Sequence, residues 1–209
     1  MKNNLYLYIL IIISLLSTGC NENNNKENKQ SIKNINTRDT EIKEIPKPIK
    51  PKVYSFVFTD LNNQTQNLKV KNNYYDFLNI KQPIVLINFF ASWCPPCIGQ
   101  IPHLNKLHKK YQNNLYILGL LMYDSDLKDE DLDKFIASQK INFFVSKEIK
   151  NNVKFGNFIS PKLQLKPQFS LPLMILFVKG KYYTHYEGSI PEEMIESDIK
   201  QALNKIKGQ

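Results

Sequence analysis

The alternation of hydrophobic and polar positions divides the chain into three parts. Leu5–Leu16 (LYLYILIIISLL) is an apolar run broken by one serine. Residues 21–52 are rich in Asn, Lys and Glu, lack apolar periodicity, and end in Pro46-Lys47-Pro48-Ile49-Lys50-Pro51. From Val53 onward, short apolar segments alternate with turn residues and amphipathic stretches, which marks a folded domain over 53–209.

Within that domain, Tyr54–Thr59 and Gln66–Val70 flank the polar Asn62-Asn63-Gln64 and read as a strand pair. Tyr74–Ile80 reads as a short helix. Pro83–Phe90 (PIVLINFF) and Leu115–Met122 (LYILGLLM) are apolar without alternation, as expected of strands buried on both faces. Between them Ile98, Ile101, Leu104, Leu107 and His108 recur at helical spacing, so a helix is predicted over 95–111, and the two strands with it form a right-handed βαβ unit. A second helix is expected over 127–139. Asn142–Gln168 holds several Phe and Ile residues but no clean period. Leu173–Val178 and Tyr182–His185 read as a hairpin about Lys179-Gly180-Lys181, and a last helix runs from Pro191, taken as its first residue, to about Lys205. The order ββα–βαβα–ββα predicts an α/β sandwich around a mixed sheet.

The N-terminal run is too short to span a hydrocarbon core, which takes about 20 residues, but it suits the apolar stretch of an export signal after Lys2. Ser17-Thr18-Gly19-Cys20 follows and resembles a bacterial lipobox, which implies a signal peptide over 1–20 and lipidation of Cys20. The polar 21–52 segment cannot bury enough apolar surface to offset its ordering entropy, so it is expected to be a disordered tether. The domain is therefore expected outside the cytoplasm, in a bacterial periplasm, attached to a membrane by lipid.

The formal charge of +9 comes from lysines spread over tail, helices and turns, with Arg38 the lone arginine. That dispersion argues against a nucleic-acid partner, which asks for a concentrated basic element.

Cys94 and Cys97 carry the candidate chemistry. A Cys-x-x-Cys pair at a strand-to-helix junction brings the two Cα atoms to the roughly 4.4–6.8 Å that a disulfide requires. The helix N-terminus offers free N–H groups and partial positive charge that stabilise a thiolate. Pro95 and Pro96 lack N–H donors, which a first helical turn tolerates. Cys94, first in the turn, is the expected nucleophile, Cys97 the shielded resolving thiol, and Trp93 an apolar wall beside them. A zinc site would need two more ligands; His103 and His108 run away from the pair along one helix and no second Cys-x-x-Cys exists. No metal and no cofactor is expected.

Asn88-Phe89-Phe90-Ala91-Ser92-Trp93-Cys94-Pro95-Pro96-Cys97, with Pro102 five residues on, resembles the thioredoxin superfamily, in its TlpA/ResA-like membrane-anchored branch. The resemblance implies a thioredoxin-like three-layer sandwich with an N-terminal β-hairpin extension, a redox-active Cys94–Cys97 disulfide, and a kink at Pro102. It also implies a cis bond at Leu171-Pro172, beside which the substrate chain docks. Two positions depart from the pattern: Asn88 stands where thioredoxin has an aspartate, and Gln100 where the branch usually has a glutamate. The activity implied is reduction of protein disulfides, those of apocytochrome c among them, with electrons from a membrane thiol-donor protein. A thiol oxidant or repair protein of the same fold is the alternative, followed by a non-enzymatic binding lipoprotein and a peroxidase.

Overall fold

The structure is a computed structural model and describes residues 51–208. The export signal, Cys20 and nearly all of the tether lie outside the described residues.

Eight strands form one sheet: β1 (Val53–Thr59), β2 (Thr65–Lys71), β3 (Tyr74–Phe77), β4 (Ile84–Phe90), β5 (Leu115–Leu121), β6 (Phe144–Ser146), β7 (Leu173–Val178) and β8 (Lys181–Glu187). Their order across the sheet is β1-β2-β3-β8-β7-β4-β5-β6. Only β4–β5 and β5–β6 pair in parallel. Four helices complete the domain: α1 (Pro95–Lys110), α2 (Asp129–Ser138), α3 (Ile149–Ile159) and α4 (Glu192–Lys207).

The period of two along β4 sorts its side chains between two cores. Ile84, Leu86 and Phe90 join Leu104 and Leu107 of α1, Leu132 of α2, and Ile195, Ile199 and Ala202 of α4. Val85, Ile87 and Phe89 point the other way, to Phe155 and Ile159 of α3 and to Phe56 and Phe58 of β1. Helices therefore cover both faces, giving the three-layer thioredoxin-like sandwich. The β1–β2 hairpin alternates buried Phe56 and Phe58 with exposed Ser55 and Val57. Its turn is closed by Asp60, whose Oδ1 accepts from the backbone N–H groups of Asn62 (2.9 Å) and Gln64 (2.8 Å). The hairpin curls over the α3 face until Lys147 N–H, just past β6, donates to Thr59 O at 2.9 Å.

Three stretches differ from the sequence expectation. Tyr74–Phe77 is a strand, not the start of a helix. Asn72 and Asn73 take φ of 50° and 60° and turn the chain tightly back on β2, the geometry of a two-residue hairpin loop; beyond it the exposed–buried–exposed order of Tyr74, Tyr75 and Asp76 is that of a strand. Asn142–Gln168 resolves into β6, α3 and a 3₁₀ turn over Ser160–Leu163. Pro191 precedes the last helix as its N-cap, and Glu192 is the first helical residue.

One row of paired residues crosses the sheet: Val53 with Lys71, Lys71 with Tyr74, Tyr74 with Lys181, Lys181 with Val178, Val178 with Ile84, and Ile84 with Leu115. It marks one end of the domain. The carboxyl ends of β4 and β5 and the start of β7 lie together at the opposite end, where Phe89 pairs with Leu173. Ligand-handling residues collect at the carboxyl ends of parallel strands, and both cysteines follow β4 there.

Candidate active site

Cys94 caps α1. Its extended backbone (φ −93°, ψ 106°) ends the loop after β4, and its Sγ accepts from Cys97 N–H at 3.3 Å. Pro95 and Pro96 fill the next positions, where a missing N–H costs nothing because those groups have no intrahelical partner. Cys94 and Cys97 are disulfide-bonded, with Cα atoms 5.2 Å apart. The first turn of α1 carries no acidic side chain, whereas its last turn holds His108, Lys109 and Lys110. The positive end of the helix is thus left uncompensated beneath the sulfurs, which favours a thiolate at Cys94 once the disulfide opens.

The two sulfurs are not equivalent. Cys94 retains 5% of its surface and Cys97 none. Cys94 Sγ lies 3.8 Å from the carbonyl oxygen of Leu171, and the Leu171–Pro172 bond is cis. Pro172 is buried; its carbonyl accepts from Gly188 N–H at 2.8 Å, tying this bend to the end of β8. The fold thus brings Cys94, Cys97, Leu171 and Pro172 together. Trp93 stands beside them with 62% of its surface exposed, an open apolar face rather than a closed wall.

Asn88 and Gln100 lie inside. Asn88 sits on the α1 face of β4, and neither polar atom of its side chain has a hydrogen-bond partner. Gln100 Oε1 accepts from Ser189 Oγ (3.1 Å) and Ile190 N–H (2.8 Å), while its Nε2 has no partner. Neither side chain ionises, so no carboxylate stands at these two positions behind the disulfide. Pro102 lies within α1, where its ring nitrogen cannot donate to the carbonyl four residues back.

Sequence reasoning missed Asp124. Its Oδ2 accepts from Ser92 N–H at 2.9 Å and its Oδ1 from Ser92 Oγ at 3.0 Å, so this buried carboxylate clamps the loop two residues before Cys94. Its place just past β5, beside the strand that carries the cysteines, was the available signal. His103 instead bonds Glu192 of α4 (3.2 Å), and His108 bonds Asn142 (3.2 Å); neither is engaged at the disulfide. Among the described residues no cluster of three or more His, Cys, Asp and Glu side chains is placed to hold a metal ion.

An exposed-side sulfur, a buried partner one helical turn on, and a helix N-terminus below both are suited to exchanging two electrons with another disulfide. Comparison with known proteins points the same way. Residues 57–158 match the AhpC/TSA family. The chain is 29% identical over 161 residues to the thiol–disulfide oxidoreductase ResA of Bacillus thuringiensis subsp. konkukian, spanning 76% of this chain and 81% of that protein. Among solved structures, a putative thiol:disulfide interchange protein DsbE from Chlorobium tepidum superposes with a TM-score of 0.52 at 25% identity, over 72% of this chain and 94% of that one. A thioredoxin-family thiol:disulfide interchange protein from Chlorobium tepidum, at 17% identity and a TM-score of 0.56 over 74% of this chain and 98% of its own, shares the fold. The chain has the thioredoxin-like fold and is a thiol–disulfide oxidoreductase of the ResA and DsbE type.

Proposed function

We propose that this chain is an extracytoplasmic, membrane-attached reductase of protein disulfides, with Cys94 as nucleophile and Cys97 as resolving thiol. In the reducing direction the Cys94 thiolate attacks a substrate disulfide, forming a mixed disulfide and releasing one substrate thiolate. The Cys97 thiolate then attacks Cys94 Sγ, which closes the Cys94–Cys97 bond and releases the second. Two electrons leave the dithiol, and a membrane thiol-donor protein restores it by the reverse exchange.

The observation that carries this reading is the asymmetry of the pair: Cys94 keeps some exposed surface and its Sγ lies by the Leu171 carbonyl, while Cys97 is sealed. A substrate chain laid along Leu171 and the cis Pro172 presents its disulfide to Cys94 alone. The membrane attachment rests on the sequence: Leu5–Leu16 and Ser17-Thr18-Gly19-Cys20 as a lipoprotein signal over 1–20, residues 21–52 as a tether, and 53–209 as the domain. The substrate class follows the ResA likeness: protein disulfides such as the haem-attachment cysteines of apocytochrome c.

The test is a Cys97→Ala variant expressed at natural level. It should accumulate mixed disulfides on Cys94, and mass spectrometry of the trapped partners should return apocytochromes. Trapping of many unrelated exported proteins would replace this substrate with general thiol repair. If nothing is trapped while Cys94→Ala cells behave as wild type, the reductase reading is wrong.

A further inference from the structure

We propose that the end of the domain opposite the disulfide is a docking face for anionic phospholipid headgroups, which holds the Cys94 end away from the membrane. The proposal rests on the membrane attachment argued above.

The row from Val53 through Lys71, Tyr74 and Lys181 to Val178 holds the first strand residue of the described chain, just after Pro51. Two hollows flank Lys181 and Tyr182 there. One, of about 570 Å³, is lined in part by Asn72, Asn73, Tyr74 and Lys162. The other, of about 360 Å³, lies between β8 and the end of α4, with Lys179, Tyr183, Lys205 and Ile206 in its wall. No carboxylate lines either hollow. Lys71, Lys162, Lys181 and Lys205 are exposed; Lys162 lies over the Phe158 ring (4.9 Å) and Lys205 over Tyr183 (5.2 Å), which places their ammonium groups beside the hollows. Tyr74 and Tyr182 are 48% and 44% exposed.

Interleaved lysines and tyrosines are the side chains that sit at headgroup level, with charged or hydroxyl tips in water and apolar stems below. At the disulfide end the exposed Asp126, Asp129, Glu130 and Glu187 stand among the cations Lys128 and Lys147, the latter bound to Asp129 at 2.6 Å, so no excess of positive charge faces outward there. An anionic surface therefore attracts the lysine-rich end in preference, so a protein tethered by its N-terminus turns its disulfide outward. Hollows lined by several cations and no acid suit phosphate-bearing headgroups.

The experiment uses the full-length chain as purified from membranes. It is floated with vesicles of phosphatidylcholine alone or of phosphatidylcholine mixed with phosphatidylglycerol, and lysine acylation is mapped by mass spectrometry. On mixed vesicles Lys71, Lys162, Lys181 and Lys205 should be protected, on neutral vesicles not, and Lys128 and Lys150 should react equally on both. Each lysine at an anionic surface contributes about fivefold to binding. Lys181→Glu with Lys205→Glu should accordingly cut the preference for mixed vesicles by about 25-fold or more, without changing reduction of a soluble disulfide substrate. Flotation with both vesicles and no protected lysine would overturn the docking face and leave the anchor standing. Flotation with mixed vesicles alone, with protection, would sustain the face and overturn the anchor. Flotation with neither overturns both.

Discussion

Asp124 holds Ser92 by two bonds, one to its backbone N–H at 2.9 Å and one to its hydroxyl at 3.0 Å. Both run to a carboxylate that is buried just past the end of β5, and hydrogen bonds to charged groups contribute about 1.5–3 kcal/mol each. Asp124→Ala should therefore lower stability by about 3–6 kcal/mol, read as a fall in the urea midpoint. It should also slow reduction of a protein disulfide, because the loop that sets Cys94 at the head of α1 is no longer fixed. Asp124→Asn, which keeps one acceptor, should lose less on both measures. Equal loss by the two variants would show that the bonds to Ser92 do not account for the effect.

Glu196 ties α4 to the end of α1. Its Oε1 accepts from Lys110 Nζ (2.7 Å), Tyr111 OH (2.7 Å) and Lys200 Nζ (3.0 Å). The bond from Lys110, then those from Tyr111 and Lys200, bring its pKa down from 4.5 to about 2. A carboxyl depressed in the folded state stabilises it above the unfolded value, and that stabilisation disappears as pH falls through the folded value. Urea midpoints measured from pH 5 down to about 2 should fall less steeply for Glu196→Gln than for the natural protein. Parallel slopes would mean that the bonds are too weakly held to matter.

Local pattern made β4, β5 and β7 legible, since each is apolar on both faces. It also marked the junction that carries the cysteines and the proline before β7. What stayed hidden depended on partners distant in sequence. The buried face of α3 contains Asn152 and Gly156 beside Phe155 and Ile159, so no apolar stripe announces the helix. Asn152 is tolerated because its amide donates to Leu121 O (2.9 Å) and Ser146 O (3.0 Å) while its oxygen accepts from Ser146 Oγ (2.8 Å). Gly156 leaves room for Met122 and Phe169, each 3.3 Å from where a Cβ would stand. Asp124 was missed for the same reason: its partner, Ser92, is 32 residues away, and only its place just past β5 hinted at it.

Phe155 is the hub of the core on the face away from α1. Its ring meets Phe56 at 5.0 Å, Phe58 at 5.8 Å, Phe89 at 5.9 Å and Phe158 at 6.3 Å. Truncating a buried phenylalanine costs about 3–5 kcal/mol, and here it also removes the seat of the β1–β2 hairpin. Phe155→Ala should lose stability in that range, and Phe155→Leu less. Hydrogen exchange should show β1 and β2 opening ahead of β4, while the rate of disulfide reduction by Cys94 stays put because α1 packs on the other face. A change in that rate would show the two faces to be coupled.

Gln100 and Asn88 place buried amides, not carboxylates, near the disulfide. When Cys97 attacks Cys94 it must first lose its proton, and the buried groups at these two positions are amides, so no carboxylate there takes it up. The pH dependence of disulfide reduction should therefore follow the thiols alone. Gln100→Glu is the informative change, because one carboxyl oxygen keeps the bonds from Ser189 Oγ and Ile190 N–H while the other replaces an Nε2 that has no partner. Burial raises the pKa of such a carboxyl above its unfolded value of about 4.3. The variant should be as stable as the natural protein below that value and lose stability as pH rises through the folded pKa. Over the same window its rate of disulfide reduction should acquire a second pH-dependent step as the carboxylate becomes able to accept the Cys97 proton. An unchanged rate profile alongside the changed stability profile would show that a carboxylate at position 100 ionises without reaching the thiol, and that water or substrate carries the proton in the natural protein as in the variant.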